Sequence, residues 1–215
     1  MSLDITDPIQ QMWPDCPVSL LQGIIDTSDD VFSKFGLAGN RLRIVHFMTQ
    51  ISAETGGGNP RGLQENLNYS AEGLLKTFPT HFTPEQAEEC AHNPQAIANR
   101  AYGGRMGNDG PNDGWLYRGQ GLLQTTGKAL YAELSRYIGI DLTANPGALL
   151  DPNTALLCAV GDFVSVCKCL PYADDDNLLA VSGCVNVGHP DVSPGQINGW
   201  ESRQEWYQRW AGALS

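Results

Sequence analysis

From Asn40 the chain reads N-R-L-R-I-V-H-F-M-T-Q-I-S-A-E-T, with apolar residues at Leu42, Val45, Met48 and Ile51, and in a second register at Ile44, Phe47, Met48 and Ile51. A period near 3.6 predicts an amphipathic helix capped by Asn40. Gly56-Gly57-Gly58 ends it, because glycine adopts positive φ without strain. The opening segment around Pro14 and Pro17 reads as loop, and helical spacing begins in S-L-L-Q-G-I-I-D-T. Residues 70–78 and 84–92 read as two short helices, and N-P-Q-A-I-A-N-R-A-Y begins another, with Pro84 and Pro94 at first-turn positions. G-N-D-G-P-N-D-G supplies two Asp-Gly turns, a surface loop or hairpin tip. T-T-G-K-A-L-Y-A-E-L-S-R-Y starts a further helix. D-P-N-T-A-L-L-C-A-V-G-D-F-V-S-V-C is apolar enough for one buried helix, with Asp151 or Asn153 near its cap. A last helix, W-E-S-R-Q-E-W-Y-Q-R-W, carries Trp200, Trp206 and Trp210, read as core anchors. No repeat, low-complexity tract or linker interrupts the chain. The pattern predicts one mainly α domain over residues 1–215.

Composition narrows the partners. The chain has 215 residues, 41% hydrophobic and 17% charged, enough for one sizeable core and unlike a disordered chain. A formal net charge of −11 without clustered Lys or Arg argues against nucleic acid. The same charge repels anionic polymers at long range, less so in salt. No stretch approaches the roughly 20 apolar residues of a membrane helix, so no membrane insertion is expected. M-S-L-D-I-T-D-P lacks a basic n-region and an apolar run; synthesis in the cytoplasm without a signal peptide is the expectation. On that expectation the six cysteines are reduced and partly buried. Cys167-x-Cys169 and the trio His81, Cys90 and His92 fit no zinc spacing, and the Asn-Asp-Gly turns lack an EF-hand's ligands, so no metal is assigned. His46 reads as a satisfied core histidine, and Asp174-Asp175-Asp176 as a solvated loop.

Two carboxylates stand out. Glu54 ends the helix that starts at Asn40, where the helix dipole and apolar neighbours favour the protonated form of a general acid. Glu65 follows a short crossing of three glycines and a proline, read as flexible, that can take the backbone from one wall of a cleft to the other. Facing carboxylates are the working parts of glycoside hydrolysis, one giving a proton and the other activating water. A third segment, Y-R-G-Q-G-L-L-Q-T-T-G, offers glycines for close backbone approach. On an extended segment Gln124 and Thr126 would face the same way, able to hold a water or a sugar hydroxyl beside Glu65. Thr126 is also a candidate cap for the next helix.

A-E-T-G-G, E-N-L-N-Y-S-A-E-G-L, Y-G-G-R-M-G-N, D-G-W-L-Y-R-G-Q-G-L-L-Q-T-T-G and C-V-N-V-G, in collinear order from about Arg41 to Arg203, resemble glycoside hydrolase family 19. The likeness is to its bacterial and phage members, many of them endolysins. The resemblance implies a lysozyme-like helical fold with a deep substrate cleft, and inverting hydrolysis of β-1,4 links between N-acetylated amino sugars. It implies Glu54 as general acid, Glu65 as general base and Thr126 as a holder of the attacking water. Gln124 and Asn186 match substrate-contacting positions, while Tyr102 and Arg118 lie in matching motifs. An inverting enzyme of this kind spaces its carboxyls about 6.5–9.5 Å apart.

Four positions depart from the family pattern: Ala53 for His, Gln120 for Arg, Leu130 for Asn, and Val187 within Asn-Gly-Gly. None removes a carboxylate. The expected protein is a peptidoglycan hydrolase of endolysin type, monomeric, without a separate wall-binding domain and needing no cofactor. It would reach the wall after release by another protein. The alternatives are a chitinase and a catalytically degenerate glycan-binding protein.

Overall fold

The computed structural model describes residues 3–215, and among these the chain forms helices and turns without a strand. Two isolated bridges, Gln64 to Gln120 and Gln120 to Thr125, tie loops together. The mainly helical expectation holds.

The axis of the larger part is α3 (Arg41–Thr55), whose residues from Ile44 to Ser52 are all buried. Its ends follow local chemistry: the Asn40 side chain accepts from Arg43 N at 3.3 Å, and Gly56 closes the helix at φ 63°. Substituting such a cap costs about 1 kcal/mol. Packed around α3 are α1 (Thr6–Met12), α2 (Val18–Lys34), α9 (Ala155–Gly161), α10 (Leu170–Asp174), α11 (Leu178–Asn186) and α12 (Trp200–Ala213). Phe47 anchors this core, meeting Phe32 and Phe163 edge-on at centroid distances of 6.0 and 5.5 Å. Trp13 and Trp210 each donate their indole N–H to Ser52 Oγ, at 3.0 and 2.8 Å, two residues before Glu54.

A smaller cluster joins α4 (Ala71–Thr77), α5 (Pro84–Cys90), α6 (Pro94–Tyr102) and α7 (Asp113–Leu116) around Leu67, Leu74, Phe82 and Ile97. Ser70, Thr83 and Asn93 cap the first three of these, Thr83 in a full capping box with Gln86. A third cluster packs α8 (Lys128–Ile138) through Tyr131 and Leu134 against Tyr117, Leu142, Leu149 and Cys158.

Several expectations need correction. Helix α1 precedes the loop around Pro14, and seven residues with a proline inside gave no periodic signal. The run from Asp151 to Cys167 is not one helix: α9 starts after Thr154 without a side-chain cap and passes at Asp162 into a π turn ending at Val166. The Asp-Gly turns form no hairpin. Asn108 and Asp113 are buried, each accepting a backbone N–H, from Lys128 and Gly110. Asp174 and Asp176 are not solvent-only: Asp174 pairs bidentately with Arg43, and Asp176 meets His46 and Tyr207. His46 is wholly buried, but its Nδ1 lacks a partner, so it is only half satisfied. Trp210 is the core anchor expected, Trp206 lies against Gly57, and Trp200 stays partly exposed.

Candidate active site

Glu54 rides the last turn of α3 with its side chain 18% exposed. Its Oε1 accepts a hydrogen bond from Nη2 of Arg203, a buried residue of α12. The same guanidinium donates from Nη1 to Gln50 Oε1, one turn earlier on α3, and from Nε to Asn198 O at 3.3 Å. An ion pair therefore stands where sequence suggested apolar neighbours. Arg203 was not singled out from the sequence. The available signal was a lone cation sharing a helix face with Trp206 and Trp210 at i+3 and i+7.

The crossing to Glu65 is a packed turn, not a loose one. A Cβ on Gly58 would lie 2.5 Å from the Trp13 ring, and one on Gly57 would lie 3.1 Å from Trp206. Beyond the 3-10 turn Pro60–Gly62, the backbone is stitched to the glycine-rich loop. Glu65 N donates to Gly119 O and Gly121 N to Leu63 O, both at 2.9 Å.

Glu65 is held from two sides. Tyr102 at the end of α6 donates its hydroxyl to Oε1 at 2.5 Å, and Gly119 N donates to Oε2 at 3.4 Å. Burial, and then the Glu65 charge, push the Tyr102 hydroxyl well above its ordinary pKa, so it stays a donor. Arg118 lies over the Trp115 ring at 3.6 Å and donates to Trp115 O at 2.7 Å. Burial lowers its pKa, while the nearby charges of Tyr131 and Glu65 act to raise it.

Gly119 is where the loop, Gln124, Thr126 and Glu65 converge. A Cβ there would lie 3.2 Å from both Gln124 Oε1 and Thr126 Oγ1, and 3.4 Å from Glu65 Cβ. The route differs from the expected extended strand, since Gln124 sits at φ 54° in the left-handed region. Its Nε2 donates to Gly62 O and Gly121 O, each at 2.9 Å, which leaves Oε1 facing Gly119. Thr126 donates to Gln124 O at 2.8 Å and does not cap α8, whose N-cap Gly127 makes no side-chain bond. Gln120, in place of the family's Arg, is buried and bonds Leu116 O, Tyr131 and Gln64. A neutral amide suits that enclosed position.

Beside this cluster opens a cavity of about 330 Å³, lined by Gln124, Thr126, Leu123, Leu130, Val166 and Val185 among others. Asp162 borders it too, buried and accepting from Thr125 Oγ1 at 2.6 Å; burial raises its pKa. Asn186 falls outside this lining. It ends α11 and accepts from Asn198 N at 2.8 Å, so it belongs to the Arg203 side. Glu72, the other carboxylate of the second motif, is exposed on α4. Among the described residues, no group of three or more His, Cys, Asp or Glu side chains is placed to hold a metal ion. None of the helices described is long and apolar enough to cross a membrane.

Two carboxylates, each held by its own donor, are the kind of groups that glycoside hydrolysis uses. The chain is 34% identical over 172 residues to a glycosyl hydrolase family 19 domain-containing protein of Haemophilus influenzae, a match covering 79% of this chain and 78% of that one. It belongs to glycoside hydrolase family 19, although no family model matches it. Solved structures of the family share its fold. Chitinase C from Streptomyces griseus superposes with a TM-score of 0.65 at 16% identity, over 99% of this chain and 92% of that one. A bacterial family 19 chitinase gives 0.59 at 18% identity, over 99% and 95%. A class IV chitinase from Zea mays gives 0.56 at 16% identity, over 100% and 92%. The expected lysozyme-like, chitinase-type fold is the one observed.

Proposed function

We propose that this glycosidase cleaves peptidoglycan, cutting β-1,4 links between N-acetylated amino sugars by a single inverting displacement. The observation carrying the reading is the set of groups around Gly119: Glu65 anchored by Tyr102, with Thr126 Oγ1 and Gln124 Oε1 turned to the same place. Glu54, having taken up a proton from solvent, gives it to the leaving oxygen, and the carboxylate that forms returns to its pair with Arg203. Glu65 takes a proton from water as that water attacks the anomeric carbon. Thr126 donates its proton to Gln124 O, so Thr126 Oγ1 and Gln124 Oε1 are both acceptors, and either of them can take the water's second proton as a hydrogen bond while the first goes to Glu65. Arg118 and Asn186 belong to the walls, Arg118 on the Glu65 side and Asn186 behind Arg203.

Beside these groups the cavity offers both apolar walls, from Leu123, Leu130, Val166 and Val185, and polar groups, from Gln124, Thr126 and Asp162, so it can take the lactyl methyl of muramic acid or a free sugar hydroxyl. In this reading the protein acts as a monomer on the wall, after release by another protein.

The test is digestion of purified peptidoglycan by wild type, Glu54→Gln and Glu65→Gln, with borohydride reduction and mass spectrometry of the products. Reduced amino-sugar ends should form with wild type, be absent with Glu54→Gln and be scarce with Glu65→Gln. Reduced muramic acid ends identify a muramidase, and reduced glucosamine ends a glucosaminidase. Cleavage of chitin oligomers alone would make the protein a chitinase, and an active Glu54→Gln protein would remove the assigned acid.

A further inference from the structure

Three of the six cysteines gather beside the cavity at Thr126, and the mechanism above uses none of their thiols. Cys167 follows the π turn, Cys169 precedes α10 and Cys184 lies on α11. The Cys169 thiol is fully buried and donates to Val181 O at 3.9 Å, three residues before Cys184 on the same helix, and the Cys167 and Cys184 thiols lie near enough to act on it electrostatically. Cys167 directs its Sγ to Asp162 Oδ1 at 3.4 Å. Cys167 and Cys184 line the cavity of about 330 Å³, and both also border a second of about 430 Å³ beside Pro171 and His189. Cys184 is therefore reachable by a small molecule from two sides, while Cys169 lies sequestered in the same buried cluster, against α11. All six thiols are unpaired in the structure. Cys90 and Cys158 are buried in the other two clusters, and Cys16, in the same cluster as Cys169, lies against Gly58.

The two thiols differ in character. The nearby Cys169 thiol draws the Cys184 pKa down, whereas burial drives that of Cys169 up. Cys184 thus has the more thiolate character, which is what makes a sulfur nucleophilic, and Cys169 keeps its proton.

We propose that Cys184 and Cys169 form a redox site that takes hydrogen peroxide through the cavity. The Cys184 thiolate attacks one peroxide oxygen and the O–O bond breaks, giving Cys184 sulfenic acid and hydroxide. The Cys169 sulfur then attacks the Cys184 sulfur. The S–O bond breaks, the hydroxyl leaves with the Cys169 proton as water, and a disulfide remains. In sum, two thiols are oxidised and one peroxide is reduced to two waters. An S–S bond near 2.0 Å brings the two sulfurs together, so the link draws α11 toward the start of α10. Because α11 ends in Asn186, which holds Asn198 and through it Arg203, the cross-link shifts the wall behind Glu54 and slows hydrolysis.

The experiment treats the full-length protein with hydrogen peroxide, alkylates the remaining thiols, digests with trypsin and reads the peptide masses. Lys168 separates Cys167 from Cys169, and no Lys or Arg occurs from Cys169 until Arg203. A Cys169–Cys184 disulfide therefore leaves a single peptide, 169–203, lighter by two hydrogens and unalkylated, whereas a Cys167–Cys184 bond would join two peptides. The light peptide should form, dithiothreitol should reverse it, and glycan hydrolysis should fall several-fold and recover in step. Joined peptides, or a Cys184 still fully alkylated after peroxide, would overturn the proposal; so would a complete cross-link at unchanged rate. Cys184→Ser should give no light peptide and Cys90→Ser should still give it. The mass readout needs no substrate, so it stands even if the peptidoglycan assignment fails.

Discussion

Arg203 on α12 holds the carboxylate of Glu54 on α3, across 149 positions of sequence, while bonding Gln50 on the same face of α3. This ion pair, the Gln50 bond and the indoles on Ser52 fasten the last helix to the one that carries the candidate acid. Arg203→Ala leaves the Glu54 carboxylate and the Gln50 amide without their donor. The expected cost is about 2–4 kcal/mol, toward the low side of buried pairs because Glu54 keeps 18% exposure. Urea unfolding measures it, and hydrolysis should fall at least about a hundredfold. Arg203→Lys should restore part of the stability, since it keeps the charge but cannot span both acceptors. An Arg203→Ala protein with wild-type turnover would detach this pair from catalysis.

Tyr102→Phe tests the hold on Glu65. The hydroxyl donates to Oε1, and Gly119 N alone remains once it is removed. Loss of one bond to a charged acceptor costs about 1.5–3 kcal/mol of positioning. The expected result is a drop in kcat of about tenfold or more with KM little changed. Burial and Glu65 raise the Tyr102 pKa, so the wild-type rate should show no alkaline fall from this phenol up to about pH 10. An alkaline limb below that pH, abolished in Tyr102→Phe, would show the phenol titrating and contradict the geometry.

The features read correctly from sequence are those whose cause is local. Asn40 caps α3 through a side chain three residues from the N–H it serves, and Gly56 ends that helix by its own backbone freedom. Glu54, Glu65, Gln124 and Thr126 were legible because the motifs that carry them are contiguous. Distant pairings left no such trace. Arg203 finds Glu54, and Asp176 finds His46 from 130 positions away, only once helices pack. The π turn at Asp162 is of the same kind: hydrophobic periodicity is blind to one extra residue per turn, and what marks the turn is the bond from Thr125.

Gly119→Ala separates catalysis from folding. The new Cβ would press on Gln124 Oε1 and Thr126 Oγ1 at 3.2 Å and on Glu65 Cβ at 3.4 Å, contacts relieved by shifts of a few tenths of an ångström. Such relief costs about 1 kcal/mol or less, well under typical overpacking. It displaces all the groups assigned to the attacking water, so turnover should fall about tenfold while the melting temperature moves by only a few degrees. Equal and large losses of both would mean the glycine serves the fold alone.

His46 gives stability a pH dependence whose sign is fixed by its burial. The ring is fully buried on α3, with Nε2 3.0 Å from Asp176 Oδ1 and Nδ1 unpartnered. Burial lowers its pKa and Asp176 only partly opposes this. The unfolded chain therefore binds a proton that the folded one refuses, so stability rises with pH across the window between the two values. It is lost as pH falls from the unfolded value, about 6.5, toward the lower folded one. Asp176 acts further into acid: burial raises its pKa, but the Tyr207 and His46 bonds outweigh this and leave it below its ordinary 3.8. Asp162, raised by burial, works with the opposite sign and offsets part of the slope. Wild type should thus melt lower near pH 5 than near pH 7, and His46→Gln, neutral at both, should flatten that difference. If the variant keeps the full slope, the acid sensitivity lies in other groups, and the enclosed imidazole tolerates its proton in the folded state.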